Sequence, residues 1–200
     1  MNMAWEVEIK AHVKDAQGIE TALGARYGRG VPFDKRDVYF ESVANPGSTA
    51  FRLRNDGAGD GLPGPDVVTI KQKGMRDGVE VNNEVEFTVD SADAFHAFAQ
   101  SLGYRVAIEK RKRGHVWEVE PGVHIELAEV SGLGWFVEIE ALLDGQGEIP
   151  AAEAQVRSLL QSLGVAETDI EPRYYTSLLR LLKAGSGLEA HQGNADGRKR

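Results

Sequence analysis

Six times along this 200-residue chain, two like charges stand two positions apart inside a short segment that alternates polar and apolar side chains: Glu6/Glu8, Arg52/Arg54, Lys71/Lys73, Glu84/Glu86, Lys110/Lys112 and Glu138/Glu140. Side chains two apart on a β-strand share a face. Each pair therefore occupies one side of its strand, opposite apolar neighbours such as Val7 and Ile9, Phe51 and Leu53, or Val137 and Ile139, except Lys110 and Lys112, which share the parity of Val106 and Ile108. Solvated faces normally mix signs, because neighbouring like charges repel. At a separation of about 6.6 Å the repulsion is roughly 0.6 kcal/mol in water and about 2.5 kcal/mol at an effective dielectric of 20. A single exposed pair is cheap and reads most simply as the wet face of a half-open sheet. Six in one chain read better as the inner wall of a curled sheet, where opposite charges across the lumen, or a bound ion and ligand, offset the repulsion. A phosphate chain chelated to a divalent cation satisfies both sets. Lysines and arginines take its oxygens, and carboxylates take the metal.

The remaining patterns predict a mixed fold dominated by antiparallel strands. Period-two segments cover 5–13, 37–41, 50–55, 67–73, 83–89, 106–113, 116–120, 124–129 and 135–142. Ser91 caps a helix that places Phe95, Phe98, Ala99 and Leu102 on one face and stops at Gly103. Val156, Leu159, Leu160 and Leu163 repeat the stripe before Gly164, Tyr175, Leu178, Leu179 and Leu182 form a third, and a weaker helix covers 16–23. A strand carrying two glutamates leads three times into a Leu-Gly helix end, at Leu23-Gly24, Leu102-Gly103 and Leu163-Gly164. From Ala184 the apolar periodicity vanishes. Residues 1–183 thus read as one domain and 184–200 as a disordered polar tail with Arg198, Lys199 and Arg200 in solvent.

Composition narrows the chemistry. With 42% hydrophobic residues the chain can bury one core, and with no cysteine it has neither disulfides nor thiolate metal sites. The five histidines lack zinc-site spacing, so a metal here is held by carboxylates. A net charge of −8 argues against general nucleic-acid binding. Glu6, Glu8 and Lys10 interrupt the start of the chain, and no later stretch approaches the length of a bilayer span. The expectation is a soluble, cytoplasmic protein with no membrane partner.

Taken in order, these residues resemble the signature of the CYTH superfamily, the triphosphate tunnel metalloenzymes, which includes class IV adenylate cyclases, thiamine triphosphatases and RNA triphosphatases. Glu6-x-Glu8-x-Lys10 is similar to the family's opening Glu-x-Glu-x-Lys, Asp37-Val-Tyr39-Phe40 to its Asp-x-Tyr-Phe, Phe51-Arg52-Leu53-Arg54 to its Leu-Arg-x-Arg and Thr69-Ile-Lys71 to its Thr-x-Lys. Glu84-Val-Glu86, the basic run 110–113 and Gly132-Leu133-Gly134-Trp-Phe136-Val-Glu138-Ile-Glu140 continue the set. The resemblance covers about 5–182. It implies an α+β fold built on an eight-stranded antiparallel β-barrel with flanking helices, a tunnel that takes Mg²⁺ or Mn²⁺ together with a nucleoside triphosphate or other triphosphate. It also leaves a homodimer open.

On that basis Glu6, Glu8, Glu138 and Glu140 are metal ligands or their supports. Lys10, Arg52, Arg54, Lys71, Lys73, Lys110 and Lys112 contact phosphates, Glu84 and Glu86 orient those cations, and Lys10, Glu138 and Glu140 serve the chemistry. Either Lys110/Lys112 or Arg111/Arg113 turns inward, and the parity of Val106 and Ile108 favours the former. The chain departs from the family at Ala128, where an aspartate is usual. Glu126, two residues earlier on the same face, is the alternative metal ligand, and reduced or absent catalysis is the reading that this departure opens. The ending Arg173-Tyr174-Tyr175-Thr-Ser-Leu178-Leu179 is similar to that of the class IV cyclase branch and favours conversion of ATP to cyclic AMP and pyrophosphate. Hydrolysis of inorganic triphosphate or thiamine triphosphate is the second reading, and a non-catalytic nucleotide- or polyphosphate-binding module is the third.

Overall fold

The computed structural model describes residues 3–58 and 64–192. In chain order the elements are β1 (Met3–His12), α1 (Ala16–Tyr27), β2 (Val31–Ser42), β3 (Asn45–Ala58), β4 (Asp66–Arg76), β5 (Val79–Val89), α2 (Ala92–Ser101), β6 (Tyr104–Glu120), β7 (Val123–Val130), β8 (Gly134–Leu143), α3 (Ile149–Ser162) and α4 (Tyr175–Gln192). The eight strands close into one antiparallel barrel in the order β1-β5-β4-β3-β2-β6-β7-β8. That is the expected α+β barrel with flanking helices.

Two expected strands, 106–113 and 116–120, prove to be one, because the glycine between them does not turn the chain. A Cβ at Gly114 would lie 2.0 Å from the Leu127 carbonyl oxygen and 2.8 Å from the Ala128 Cβ. The glycine lets β7 approach β6 closely instead of ending it. A true turn stands between β4 and β5, where Asp77 and Gly78 both have positive φ, 47° and 81°, as a tight hairpin demands. Leu102-Gly103 and Leu163-Gly164 end α2 and α3 with glycines at φ 80° and 73°, but Leu23-Gly24 lies inside α1, which runs on to Gly28. The 55–66 stretch between the cationic strands falls partly on 59–63, outside the described residues.

Most apolar positions of the strands point outward, away from the barrel axis. Val7, Ile9, Ile125, Leu127, Val137 and Ile139 pack under Leu23 of α1 and Ile149, Ala152, Val156 and Leu160 of α3. On the opposite wall Phe40, Leu53 and Val68 pack under Ala99 and Phe95 of α2. Ser91 caps α2, its hydroxyl accepting from the Ala94 N–H at 3.2 Å. A third cluster closes one end of the barrel: Tyr175 and Leu178 of α4 sit on Val130 and Phe136. The chain ahead of α4 is tied to β1 by the Glu171 N–H donating to the Lys10 carbonyl at 2.9 Å. Arg180 then fastens the helix to the Gly47 carbonyl and, at 3.3 Å, to the Glu41 carboxylate. α4 continues past Ala184 to Gln192, and the basic end of the chain lies outside the described residues. Among the described residues no helix is long and apolar enough to cross a membrane.

The oil of this protein therefore lies between the barrel wall and its helices. Replacing Leu160, buried on α3, by alanine is expected to cost about 2–5 kcal/mol in urea unfolding, whereas Leu181→Ala on the exposed side of α4 should stay within about 0.5 kcal/mol. Equal effects would contradict this placement of the core.

Candidate functional site

Because the apolar parity faces outward, the like-signed pairs face inward. They line a cavity of about 620 Å³ whose walls carry Glu6, Glu8, Arg52, Arg54, Lys71, Lys73, Glu84, Glu86, Lys110, Lys112, Glu126, Glu138 and Glu140. Lys10 lies beneath the cavity floor, 2% exposed and paired with Glu80. Every residue expected at the site is thus on or under one lumen.

A β-bulge decides which basic residues of β6 turn inward. Tyr39 pairs with Ile108 but Phe40 pairs with Val106, so one residue of β6 is skipped and the face changes there. Val106 is exposed on the outside and gives no guide to the face of Lys110 and Lys112. Ile108 does, being buried on their side. Arg111 and Arg113 turn outward to Asp34 and Glu129.

Within the lumen most charges meet an opposite charge. Arg54 grips Asp37 with two hydrogen bonds, 2.6 and 3.1 Å, and Lys110 reaches the same carboxylate at 2.9 Å. Burial opposes ionisation of Asp37, but Arg54 and Lys110 hold it well below the usual carboxylate range. Lys71 bridges Glu6 at 2.9 Å and Glu84 at 2.6 Å. Arg52 donates to Thr69 at 2.8 Å, and Thr69 donates to Glu86 at 2.6 Å. Glu84 and Glu86 do lie beside the cations they were expected to orient. Lys112 bridges Glu126 and Glu138, Lys35 donates to the other Glu126 oxygen at 2.5 Å, and the Tyr175 hydroxyl donates to Glu138. Lys73 differs, since among the described residues it meets no carboxylate and rests over the Tyr174 ring at 4.6 Å. Burial and the neighbouring Lys71 push its ammonium down to about 8.

Three carboxylates draw together with only one cation among them in the described residues, Lys71 at Glu6. Oxygens of Glu6, Glu8 and Glu140 all lie within 4.8 Å of one another. Glu8 stands in the strand ladder directly opposite Glu80 on one side and Glu140 on the other. Burial, reinforced by Glu80 and Glu138, raises Glu8 well above the usual range. Burial, with Glu6 and Glu126, pushes Glu140 up to about 8. Burial acts on Glu6 in the same sense, but Lys71 outweighs it and holds Glu6 low. A cluster of hard oxygen donors with too little positive charge suits Mg²⁺ or Mn²⁺.

Residues 4–175 match the model of the CYTH domain. The chain belongs to the CYTH family. It is 24% identical over 184 residues to the adenylate cyclase CyaB of Aeromonas hydrophila, covering 87% of this chain and 88% of that one. The structure of the PH1819 protein of Pyrococcus horikoshii superposes with a TM-score of 0.76 at 27% identity, over 87% of this chain and 97% of the other. HpAC1 of Hippeastrum, an adenylyl cyclase candidate described as having a dominant triphosphatase activity, shares the fold with a TM-score of 0.60 at 16% identity, over 92% of this chain and 96% of its own.

Several lumen residues of this CYTH barrel escaped the sequence reading. Glu80 and Asn82 share the parity of Glu84 and Glu86, but the expected strand began too late to include them. Lys35 and Asp37 share a face of β2 with Tyr39, and only Asp37 stood in a motif. Tyr175 enters from the start of α4 and Tyr174 from the residue before it, and no strand periodicity places them there.

The raised carboxylates set a pH signature. A carboxyl whose folded value lies above its unfolded value stabilises the protein when protonated, and that contribution is lost as pH rises toward the folded value. Metal-free protein is therefore expected to lose thermal stability between about pH 5 and pH 8, and Glu140→Gln should flatten that slope. Melting curves in chelator across this range check it, and equal slopes in both proteins would remove Glu140 as the cause.

Proposed function

We propose that this CYTH protein is a divalent-metal-dependent enzyme acting on a triphosphate, and that its reaction is that of a class IV adenylate cyclase, ATP to cyclic AMP and pyrophosphate. The observation that carries the reading is one cavity holding the trio Glu6, Glu8 and Glu140, which among the described residues shares only Lys71 at Glu6, beside rows of lysine and arginine. A neutral or purely anionic ligand would leave one of the two sets unanswered. A triphosphate chelated to Mg²⁺ or Mn²⁺ answers both, and about 620 Å³ lies within the range of nucleotide-sized sites. The curated relative named an adenylate cyclase and the Arg173-Tyr174-Tyr175 ending support the cyclase assignment over hydrolysis.

Glu6, Glu8 and Glu140 would hold the ion. When bound, it supplies the Lewis acidity that lowers the pKa of a ribose 3′-hydroxyl and screens phosphate charge. Lys73, lacking a carboxylate of its own, is the cation most ready to take a phosphate oxygen. Arg52, Arg54, Lys71 and Lys110 add donors already aimed by Thr69, Asp37, Glu84 and Glu6, so little reorganisation accompanies charge build-up on the leaving pyrophosphate. Phe136, Leu178 and Tyr175 pack together over one end of the lumen.

Incubation with ATP, and separately with inorganic triphosphate, in Mn²⁺ followed by chromatography tests the reading. Cyclic AMP with pyrophosphate is expected. Release of orthophosphate from inorganic triphosphate alone would assign the tunnel to hydrolysis, and unchanged substrates would leave it a binding module. Lys73→Met should weaken binding of triphosphate about ten- to a hundredfold while leaving Mn²⁺ affinity unchanged, as titration calorimetry would show.

A further inference from the structure

Five carboxylates of β1, β7 and β8 face the lumen in two groups, and in the first, among the described residues, only Glu6 is paired, with Lys71 at 2.9 Å. Glu6, Glu8 and Glu140 form the close trio, in which Glu140 accepts no hydrogen bond and meets no cation among the described residues. Glu126 and Glu138 face each other directly across the β7–β8 ladder. Two adjacent carboxylates on neighbouring strands could chelate an ion, yet here their oxygens are occupied. Lys112 lies between them, 2.5 Å from Glu138 and in contact with one oxygen of Glu126. Lys35 takes the other Glu126 oxygen at 2.5 Å, and the Tyr175 hydroxyl takes the other oxygen of Glu138. Lys35 enters from β2, directly opposite Lys112 in the ladder, so two ammonium groups are fixed side by side against this pair. The small Ala128 beside them brings no further acid into the lumen.

We propose that Lys35 is a built-in cation of the site: with Lys112 it fills the Glu126–Glu138 position with ammonium charge, so that the tunnel holds one divalent ion, at Glu6, Glu8 and Glu140, rather than two. The proposal rests on the metal-dependent reading above. It assigns Glu126 to positioning lysines and not to ligating metal. An ammonium in place of a second divalent ion also makes part of the positive charge over the phosphates independent of metal concentration.

Counting bound Mn²⁺ tests this without any turnover, by electron paramagnetic resonance of free Mn²⁺ and by calorimetry, with and without inorganic triphosphate. Wild-type protein is expected to bind about one ion per chain. Lys35→Met keeps the bulk of the stem, frees one Glu126 oxygen, and should admit a second ion when triphosphate is present. Lys35→Arg keeps the charge and should stay at one. Circular dichroism melting of each variant verifies that it is folded before counting. Two ions in the wild type, or one ion in Lys35→Met, would overturn the role given to Lys35 while leaving the trio intact. Loss of the single ion in Glu140→Gln would place it at the trio. No ion bound by the wild type at all would overturn the metal site itself, and this proposal with it.

Discussion

Which side of the barrel wall holds the oil governs everything else in this protein. A small eight-stranded barrel is commonly filled by its own side chains. Here the strands give their apolar faces to α1, α2 and α3, and the lumen is left to charge. Removing an ion from water costs several kcal/mol, so such a lumen is stable only where its charges answer one another. The chain meets that demand with shared partners: Asp37 answers Arg54 and Lys110, and Lys71 answers Glu6 and Glu84. Each of these ions is thereby held in place by at least one fixed neighbour, which is the condition for a site that binds without rearranging.

The two ends of the lumen are not alike. α4 seals one with Tyr175 and Leu178, and the same Tyr175 hydroxyl bonds Glu138, so the seal and the charged wall are one structure. Among the described residues β3 and β4 pair only over Arg52–Asn55 and Asp66–Thr69, while β4 and β5 pair along nearly their whole length. Thr49, Ala50, Lys73 and Thr176 line the cavity beside that short seam. That short seam lies next to Lys73, the one cavity-lining lysine among the described residues that meets no carboxylate.

Parity made most of this legible from the residues alone. Alternation told which side chains share a face, and the like-signed pairs told that the face is enclosed. The barrel closure and the tunnel came from the family resemblance, since strand order is not written in any single segment. Parity failed at two places, each for a local reason. Gly114 reads as a break but serves close packing of β6 on β7, and the bulge near Val106 moves that residue to the other face. Register was beyond reach altogether. That Glu8 stands between Glu80 and Glu140, or that Lys35 stands opposite Lys112, depends on which residues of distant strands face each other. The distinction between paired and unpaired carboxylates was hidden for the same reason.

That distinction is what would make a charged lumen a metal site under the proposed function. Directly opposite residues in an antiparallel ladder hold their Cβ atoms about 4.5–5.5 Å apart. Glu8 and Glu140 cannot move apart without breaking the β1–β8 ladder, whose other face carries Ile9 and Ile139 in the core. Their repulsion can be relieved only by a proton or by a cation. Glu126 and Glu138, equally close across β7 and β8, have Lys112 between them and need neither. Two ladder positions of the same kind thus differ by the side chain that the neighbouring strand supplies, and under the proposed function the one lacking an ammonium is where a divalent ion would bind.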